Sequence, residues 1–325
     1  MNRRAFLQAT LALTVAPTLA RAAGPSEVPR RKLGRTGATV SMVGVGGAHI
    51  GLQATEQESI AIIRKAIDGG ITFLDNCWDY NGGQSEVRMG KALRDGYRAR
   101  AFLMTKIDGR DAKTARKQID VSLQRLQTDH LDLLQLHEVI RPDDPARAFA
   151  PGGAMEALIA AQKAGKARFL GFTGHKSPAI HLAMLDAAQA HGFRFDTVQL
   201  PLNVLDAHVE SFEKQVLPRL VKEEIGVLGM KSMGDSFILK SGAATAEECL
   251  RYSMSLPTSV VITGMDSVDR VEQALRVTRG FKPFTEEEIS ALLLRTAPAA
   301  KGLQWEKYKS SDHFDGTAHH PEWLG

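Results

Sequence analysis

The chain has 325 residues, and 43% of them are hydrophobic, which is enough to bury a large core without disulfides. Its 41 Lys and Arg residues outnumber the 37 Asp and Glu residues by four, for a net charge of +4. This near balance gives no reason to expect a nucleic-acid or membrane-surface partner. Cys77 follows a predicted strand and Cys249 lies in a predicted helix, so we expect two free thiols.

Residues 1–22 have the pattern of a cleaved twin-arginine export signal. Arg3-Arg4 precedes a mildly apolar stretch from Ala5 to Ala20, and Ala20-Arg21-Ala22 is a small-x-small cleavage site. The stretch is too short and too polar for a stable membrane anchor, which needs about 20 strongly apolar residues. We therefore expect a periplasmic protein that uses the twin-arginine export machinery; a basic N-terminal arm is the alternative.

From residue 30 onward, strand-like and helix-like segments alternate. A hairpin is predicted over residues 31–40, followed by eight strands, each with a helix after it. The predicted strands are Met42–Gly46, Thr72–Leu74, Phe102–Thr105, Leu131–Leu136, Ala167–Thr173, Thr197–Leu200, Val227–Lys231 and Val260–Thr263. The predicted helices are Thr55–Asp68, Ser85–Leu93, Asp111–Leu126, Ala154–Ala164, Pro178–Ala190, Phe212–Glu223, Thr245–Ser255 and Ser267–Thr278.

Short apolar strands that alternate with helices predict a closed parallel sheet buried on both faces. The predicted fold is a (β/α)8 TIM barrel over residues 30–282, with an N-terminal β-hairpin and a C-terminal tail over residues 283–325. A doubly wound open sheet is the alternative, disfavoured because no Gly-x-Gly-x-x-Gly turn opens a helix after the first strand. The aromatic and His-rich tail is interpreted as a lid, or as a surface-packed or disordered terminus.

Ionisable residues stand at the ends of three consecutive predicted strands. Asp75 and Tyr80 follow the second strand, Lys106 the third and His137 the fourth. At one rim of a barrel, such residues can move a proton to or from an oxygen. A cation is needed to stabilise the phenolate of Tyr80, and Asp75 is the expected counter-ion of Lys106. Trp78 is the candidate for an apolar wall of the substrate pocket.

The segments FLDNCWDYNGGQSEVRMGKAL, FLMTK and LDLLQLH resemble the aldo-keto reductase family. The resemblance covers residues 30–279 and implies an NAD(P)H-dependent oxidoreductase that reduces an aldehyde or ketone. It matches Asp75, Tyr80, Lys106 and His137 to the catalytic tetrad of that family. The competing class is a nucleotide-binding redox sensor with the same barrel and little turnover.

The resemblance also implies a cofactor site. Gln199 matches a nicotinamide contact, Thr173 replaces a serine, and Gly174 stands where the family has asparagine. His175 is a candidate to replace the lost amide, but an exposed loop position is the favoured interpretation. Lys231 and Ser232 match the pyrophosphate loop, and Arg270 and Gln273 match the adenosine end. The predicted cofactor set is Gly47, Thr173, Gln199, Lys231, Ser232, Gly264, Arg270 and Gln273. NADP(H) is favoured over NAD(H), because Arg can bind a 2'-phosphate.

A metallohydrolase is the alternative enzyme class. His49, His137 and His175 all fall on loops at the same predicted barrel face, and three histidines can bind zinc. That assignment leaves Tyr80 and Lys106 without a role. We therefore predict no metal site from the sequence.

Overall fold

The computed structural model describes residues 27–325 of the chain. The predicted export signal, residues 1–22, lies outside the described residues. Within residues 27–325, no helix is both long enough and apolar enough to cross a membrane.

Eight parallel strands form a closed barrel in which each strand pairs with its neighbours in the sequence and the last pairs with the first. The hairpin strands are β1 (Arg30–Lys32) and β2 (Thr39–Ser41), which pair antiparallel. The barrel strands are β3 (Val43–Gly46), β4 (Phe73–Leu74), β5 (Phe102–Ile107), β6 (Leu131–Leu136), β7 (Ala167–Thr173), β8 (Thr197–Pro201), β9 (Gly226–Met230) and β10 (Val260–Gly264). The predicted TIM barrel with an N-terminal hairpin is confirmed.

Helices surround the barrel and continue into the tail. They are α1 (Glu56–Asp68), α2 (Gln84–Ala92), α3 (Ala112–Leu126), α4 (Asp144–Phe149), α5 (Ala154–Lys163), α6 (Pro178–Ala190), α7 (Phe212–Gln215), α8 (Leu217–Lys222), α9 (Phe237–Lys240), α10 (Ala246–Ser255), α11 (Val268–Arg279), α12 (Glu286–Ala300), α13 (Lys307–Ser310) and α14 (Gly316–His319). Short 3-10 turns cover Gly47–His49, Tyr80–Gly83, Tyr97–Arg100, Lys301–Leu303 and Pro321–Leu324.

The helix predicted over Phe212–Glu223 is instead two helices that meet at Val216. Pro218 lies in the first turn of the second helix. Proline has no N–H to donate and restricts the residue before it, so a single continuous helix is disfavoured there. Proline is well tolerated in the first turn of a new helix, which is where it stands.

The hairpin packs against one end of the barrel interior. Leu33 and Val40 from the hairpin join an apolar cluster with Phe73, Phe102 and other strand residues. The rings of Phe73 and Phe102 stack with their centroids 5.1 Å apart. Because apolar side chains fill this end of the barrel, the polar strand-end residues are left to the opposite end.

Candidate active site

The alternation of side chains along each strand brings the predicted polar residues to the carboxyl end of the barrel. Phe102, Met104 and Lys106 lie two residues apart on β5 and therefore share one face, and Phe102 and Met104 belong to the interior cluster. Asp75 lies two residues after Phe73 of β4 and shares its face of the sheet for the same reason. Strand β5 continues to Ile107, so Lys106 lies inside the strand rather than after it.

Tyr80 begins a tight turn that backbone geometry explains. Asn81, Gly82 and Gly83 have φ values of 53°, 63° and 85°, a left-handed conformation that Gly and Asn tolerate best. The amide of Asn81 donates to the carbonyl oxygens of Ala48 at 3.1 Å and Ile50 at 2.6 Å. These bonds tie the Tyr80 turn to the loop that follows β3.

Asp75, Lys106 and Tyr80 form a connected chain of polar contacts. The Lys106 ammonium lies 2.6 Å from Asp75 Oδ1 and donates to the Tyr80 hydroxyl at 3.2 Å. It also donates to the carbonyl of Asn76 at 2.8 Å. Burial, together with the nearby Asp75 carboxylate, raises the pKa of the Tyr80 phenol well above its usual value. The phenol is therefore a proton donor, and the adjacent ammonium can stabilise the charge that remains when it donates.

His137 faces Tyr80 and is held by two carboxylates. Its ring lies edge-on to the Tyr80 ring, with centroids 5.7 Å apart. Its Nδ1 atom is 2.9 Å from Asp108 Oδ1 and 3.7 Å from Asp79 Oδ1. Burial opposes the charged imidazole, but Asp108 and Asp79 outweigh it and raise the pKa of His137. Burial and the proximity of Asp108 raise the pKa of Asp79 to about 6.

A cavity of about 410 Å³ opens beside this group. Asp75 and Tyr80 lie on its wall, and so do Arg270 and Gln273 of α11. Most of the predicted cofactor residues line it: Gln199, Lys231, Ser232, Gly264, Arg270 and Gln273. The cavity thus extends from the phenol of Tyr80 to the side chains of Arg270 and Gln273 near the amino-terminal end of α11.

Gly47 and Thr173 do not line this cavity. A side chain at Gly47 would place its Cβ 2.4 Å from the Asp75 carbonyl oxygen, so glycine is needed for the loop after β3 to pack against Asp75. The Gly47 amide instead donates to Asp75 Oδ2 at 3.4 Å. Thr173 is buried, and its hydroxyl faces the sulfur of Met230 at 3.9 Å.

The absence of asparagine at position 174 has a steric cause. A Cβ at Gly174 would lie 2.2 Å from the carbonyl oxygen of Val139, so no side chain fits in this backbone arrangement. His175 is buried rather than exposed, which corrects the expectation from sequence. Its Nε2 atom lies 2.8 Å from Asp315 Oδ1, so His175 contacts the tail.

The tail packs against residues that follow β6 and β7. Glu138 accepts hydrogen bonds from the amides of Gly316 and Thr317, each at 2.8 Å, and from the Thr317 hydroxyl at 2.6 Å. Asp315 pairs with Lys176 at 2.6 Å as well as with His175. Phe314 reaches the cavity wall, where the Lys231 ammonium lies 3.9 Å from the centre of its ring. Burial lowers the pKa of Lys231 to about 8.

Trp78 lies outside the cavity. It is half-buried and meets the edge of Trp323 from the tail, with ring centroids 5.6 Å apart. The three histidines of the metallohydrolase alternative each pair with a different carboxylate: His49 with Asp235 at 3.3 Å, His137 with Asp108, and His175 with Asp315. Both cysteines are buried and free, as predicted.

Sequence analysis missed Asp108 and Glu138. Asp108 directly follows β5 and Glu138 is the second residue after β6, so a position near a strand end, the signal that selected Lys106 and His137, applies to both. Asp79 was also missed, although it stands beside Tyr80 in the sequence. Their roles depend on contacts with His137 and with the tail, which the sequence does not display.

A closed parallel barrel with ionisable side chains and a cavity at the carboxyl ends of its strands is the arrangement of a barrel enzyme. The chain belongs to the aldo/keto reductase family, whose sequence model matches residues 42–244. It is similar to L-galactose dehydrogenase of Arabidopsis thaliana, with 28% identity over 86% of this chain and 98% of the relative. It is 33% identical to the aldo-keto reductase YhdN of Bacillus subtilis, over 59% of this chain and 58% of that one.

Solved structures share the fold. An aldo-keto reductase from Bacillus halodurans in its holo form has a TM-score of 0.70 and 22% identity, covering 86% of this chain and 99% of its own. An aldo/keto reductase from Klebsiella pneumoniae, in complex with NADP and acetate, has a TM-score of 0.65 and 22% identity, covering 82% and 94%. At this identity, the likeness concerns the fold alone.

Proposed function

We propose that this chain reduces an aldehyde or ketone to an alcohol, with a nicotinamide nucleotide as hydride donor and Tyr80 as general acid. The observation that carries the proposal is one cavity whose wall includes Asp75 and Tyr80 as well as Arg270 and Gln273. A proton donor and a phosphate-binding group on one cavity suit an extended dinucleotide whose reactive ring lies beside the donor.

The residues on the cavity wall have the donors and acceptors that such a nucleotide needs. Gln199 Oε1 is buried and has no hydrogen-bond partner among the described residues, so it is free to accept an amide N–H of the nicotinamide carboxamide. Arg270 contacts Gln273 at 2.9 Å near the start of α11, where a phosphate would meet both a guanidinium and a helix N-terminus. The bound nicotinamide would supply the hydride.

The chain's own groups would handle the proton. Tyr80 donates its hydroxyl proton to the carbonyl oxygen, Lys106 stabilises the phenolate that forms, and Asp75 is the counter-ion of Lys106. His137 orients the carbonyl from the other side of Tyr80. The four residues therefore share one task, which is to protonate the oxygen while the carbon accepts the hydride.

We favour NADP(H) over NAD(H). The planar guanidinium of Arg270 suits a 2'-phosphate, and the fold relative from Klebsiella pneumoniae was solved with NADP. Asp266 also lines the cavity and would oppose a second phosphate there, so the preference is a modest one.

We further propose that the tail encloses the substrate side of the site and that the protein works in the periplasm after twin-arginine export. The tail contacts of Glu138, which follows His137 in the sequence, and of His175, which follows β7, support the first proposal. The pattern of residues 1–22 supports the second. A folded protein can carry its nucleotide through this route, which would supply a reductant outside the cytoplasm.

The test is to denature protein purified from the periplasm and to identify the released nucleotide by absorbance and mass. Steady-state assays with added NADPH, NADH and a panel of aldehydes and ketones follow. Sustained turnover supports the reductase, whereas a single burst that consumes only pre-bound nucleotide supports the redox sensor. Failure of both nucleotides to bind overturns the proposal.

A further inference from the structure

Four potential metal ligands converge beside the proposed catalytic group. Cys77 and Asp79 come from the loop after β4, Asp108 from the loop after β5, and His137 from the end of β6. One ligand atom from each lies within 4.8 Å of the other three. Cys77 Sγ is 3.2 Å from His137 Nδ1, which in turn is 2.9 Å from Asp108 Oδ1 and 3.7 Å from Asp79 Oδ1.

The negative charges of the two carboxylates in this cluster, Asp79 and Asp108, have little compensation. Asp108 is fully buried, and its Oδ2 atom has no hydrogen-bond partner within the described part of the chain. Asp79 Oδ1 also has no hydrogen-bond partner among the described residues. Among residues 27–325, no Lys or Arg side chain pairs with either carboxylate, and His137 is their one ion-pairing partner. Buried carboxylates are costly without such compensation, so the cluster would be stabilised by a cation.

We propose that Cys77, Asp79, Asp108 and His137 form a binding site for a divalent transition metal ion of the zinc type. A thiolate and an imidazole favour such an ion over Mg²⁺ or Ca²⁺, which prefer all-oxygen sites. Zinc bonds of about 2.0–2.3 Å in a tetrahedron separate neighbouring ligand atoms by roughly 3.3–3.8 Å. The three separations from His137 Nδ1, between 2.9 and 3.7 Å, are near this range, and the remaining pairs lie within 4.8 Å. Shifts of up to roughly 1 Å would therefore complete the site.

The ion would bind Nδ1 of His137, the atom that faces Cys77, Asp79 and Asp108, and leave Nε2 uncoordinated. With Nδ1 coordinated, the imidazole proton must reside on Nε2. Metal binding would therefore fix His137 as a hydrogen-bond donor. This ligand set shares only His137 with the three histidines of the metallohydrolase alternative. The proposed metal site does not depend on the proposed reductase activity.

The experiment uses the full chain after treatment with a chelator. Equilibrium dialysis against Co²⁺ and against Zn²⁺ should give one bound ion per chain, and the Co²⁺ form should show near-ultraviolet charge-transfer absorption from a thiolate ligand. Cys77→Ser should abolish that absorption, whereas Cys249→Ser, which removes the other buried thiol, should retain it. Asp108→Asn should weaken Zn²⁺ binding by at least roughly tenfold.

Thermal unfolding gives a readout that is independent of the spectrum. At the same concentration, Zn²⁺ should raise the Tm of the parental protein and of Cys249→Ser more than that of Asp108→Asn. If Cys77→Ser does not fold, Asp79→Asn tests the same site, because its partly exposed side chain is less important for packing. The absence of saturable binding by either ion, or a thiolate band that survives Cys77→Ser, would overturn the proposal.

Discussion

Lys106 and Asp75 form an ion pair in the interior of the barrel, with 2.6 Å between Nζ and Oδ1 and with side-chain exposures of 0% and 4%. Removing one member of such a pair leaves a buried charge and costs about 3–5 kcal/mol. The pair places a fixed positive charge 3.2 Å from the hydroxyl of Tyr80. The ammonium is therefore held where a phenolate would form.

Tyr80→Phe removes one oxygen atom and should leave the fold and nucleotide affinity nearly unchanged. We expect kcat to fall roughly a hundred- to ten-thousand-fold, because a positioned general acid is lost. The measurements are steady-state kinetics and nucleotide titration. Tyr97→Phe is the matched control, since the Tyr97 hydroxyl bonds to Asp68 rather than to the site. Near-parental turnover in Tyr80→Phe would rule out the proposed acid.

Lys106→Met and Asp75→Asn should each lower kcat, because both weaken the charge next to the phenol. The double variant should lose much less than the two single losses combined, since the residues act as a unit. A double-mutant cycle on kcat measures this coupling. The exposed ion pair of Arg100 and Asp68, 2.8 Å apart, is the control, and its removal should have little effect on turnover. Strictly additive losses would contradict the coupling.

The sequence predicted the eight strands because each is a short apolar run followed by a helix, a local pattern that tertiary contacts did not override. It also placed Asp75, Lys106 and His137 at one barrel end, since the carboxyl ends of parallel strands meet there. Gly174 could not be explained from sequence, because the close approach of Val139 that requires glycine brings together the segments that follow β6 and β7. The break at Val216 was missed although Pro218 was visible.

The tail could be predicted only in outline. Its helices α13 and α14 are four residues each, too short to give a clear periodicity. Its position depends on contacts such as that of Asp315 with His175, which are far apart in the sequence. The aromatic and His-rich composition left two alternatives open, a lid over the site and a surface-packed or disordered terminus, because composition does not show which surface a segment contacts.

Asp315→Asn should loosen the tail, because the carboxylate pairs with both His175 and Lys176. We expect faster hydrogen exchange at the amides of Gly316 and Thr317, because the free energy of local opening should fall by about 1–3 kcal/mol. The KM for the carbonyl substrate should change while nucleotide affinity does not. Asp312→Asn is the control, since that side chain is exposed. Equal exchange in both variants would show that Asp315 does not hold the tail.

Arg270→Ala tests the choice of nucleotide. It should weaken NADPH binding by about 1–3 kcal/mol, the range for a charge-assisted contact, and change NADH binding little. Fluorescence titration of both nucleotides decides the matter. Arg276→Ala removes the same charge from an exposed position on the same helix and should leave both affinities unchanged. An equal loss for the two nucleotides, or a parental preference for NADH, would contradict a 2'-phosphate contact.

Lys231 should make nucleotide binding depend on pH. Burial lowers the pKa of its ammonium to about 8, so the group is charged below that pH and becomes neutral above it. Nucleotide affinity should therefore fall as pH rises from about 7 to about 9, by roughly tenfold if one charge-assisted phosphate contact of about 1.5 kcal/mol is lost.

Titrations of NADPH across this pH range, with parental protein and Lys231→Met, measure the effect. The variant should bind weakly at low pH and lose most of the pH dependence, because the titrating ammonium is gone. Lys240→Met removes an exposed ammonium that does not line the cavity and should retain the parental slope. A parental affinity that is constant from about pH 7 to about pH 9, or a slope that persists in Lys231→Met, would show that Lys231 does not bind the nucleotide through its charge.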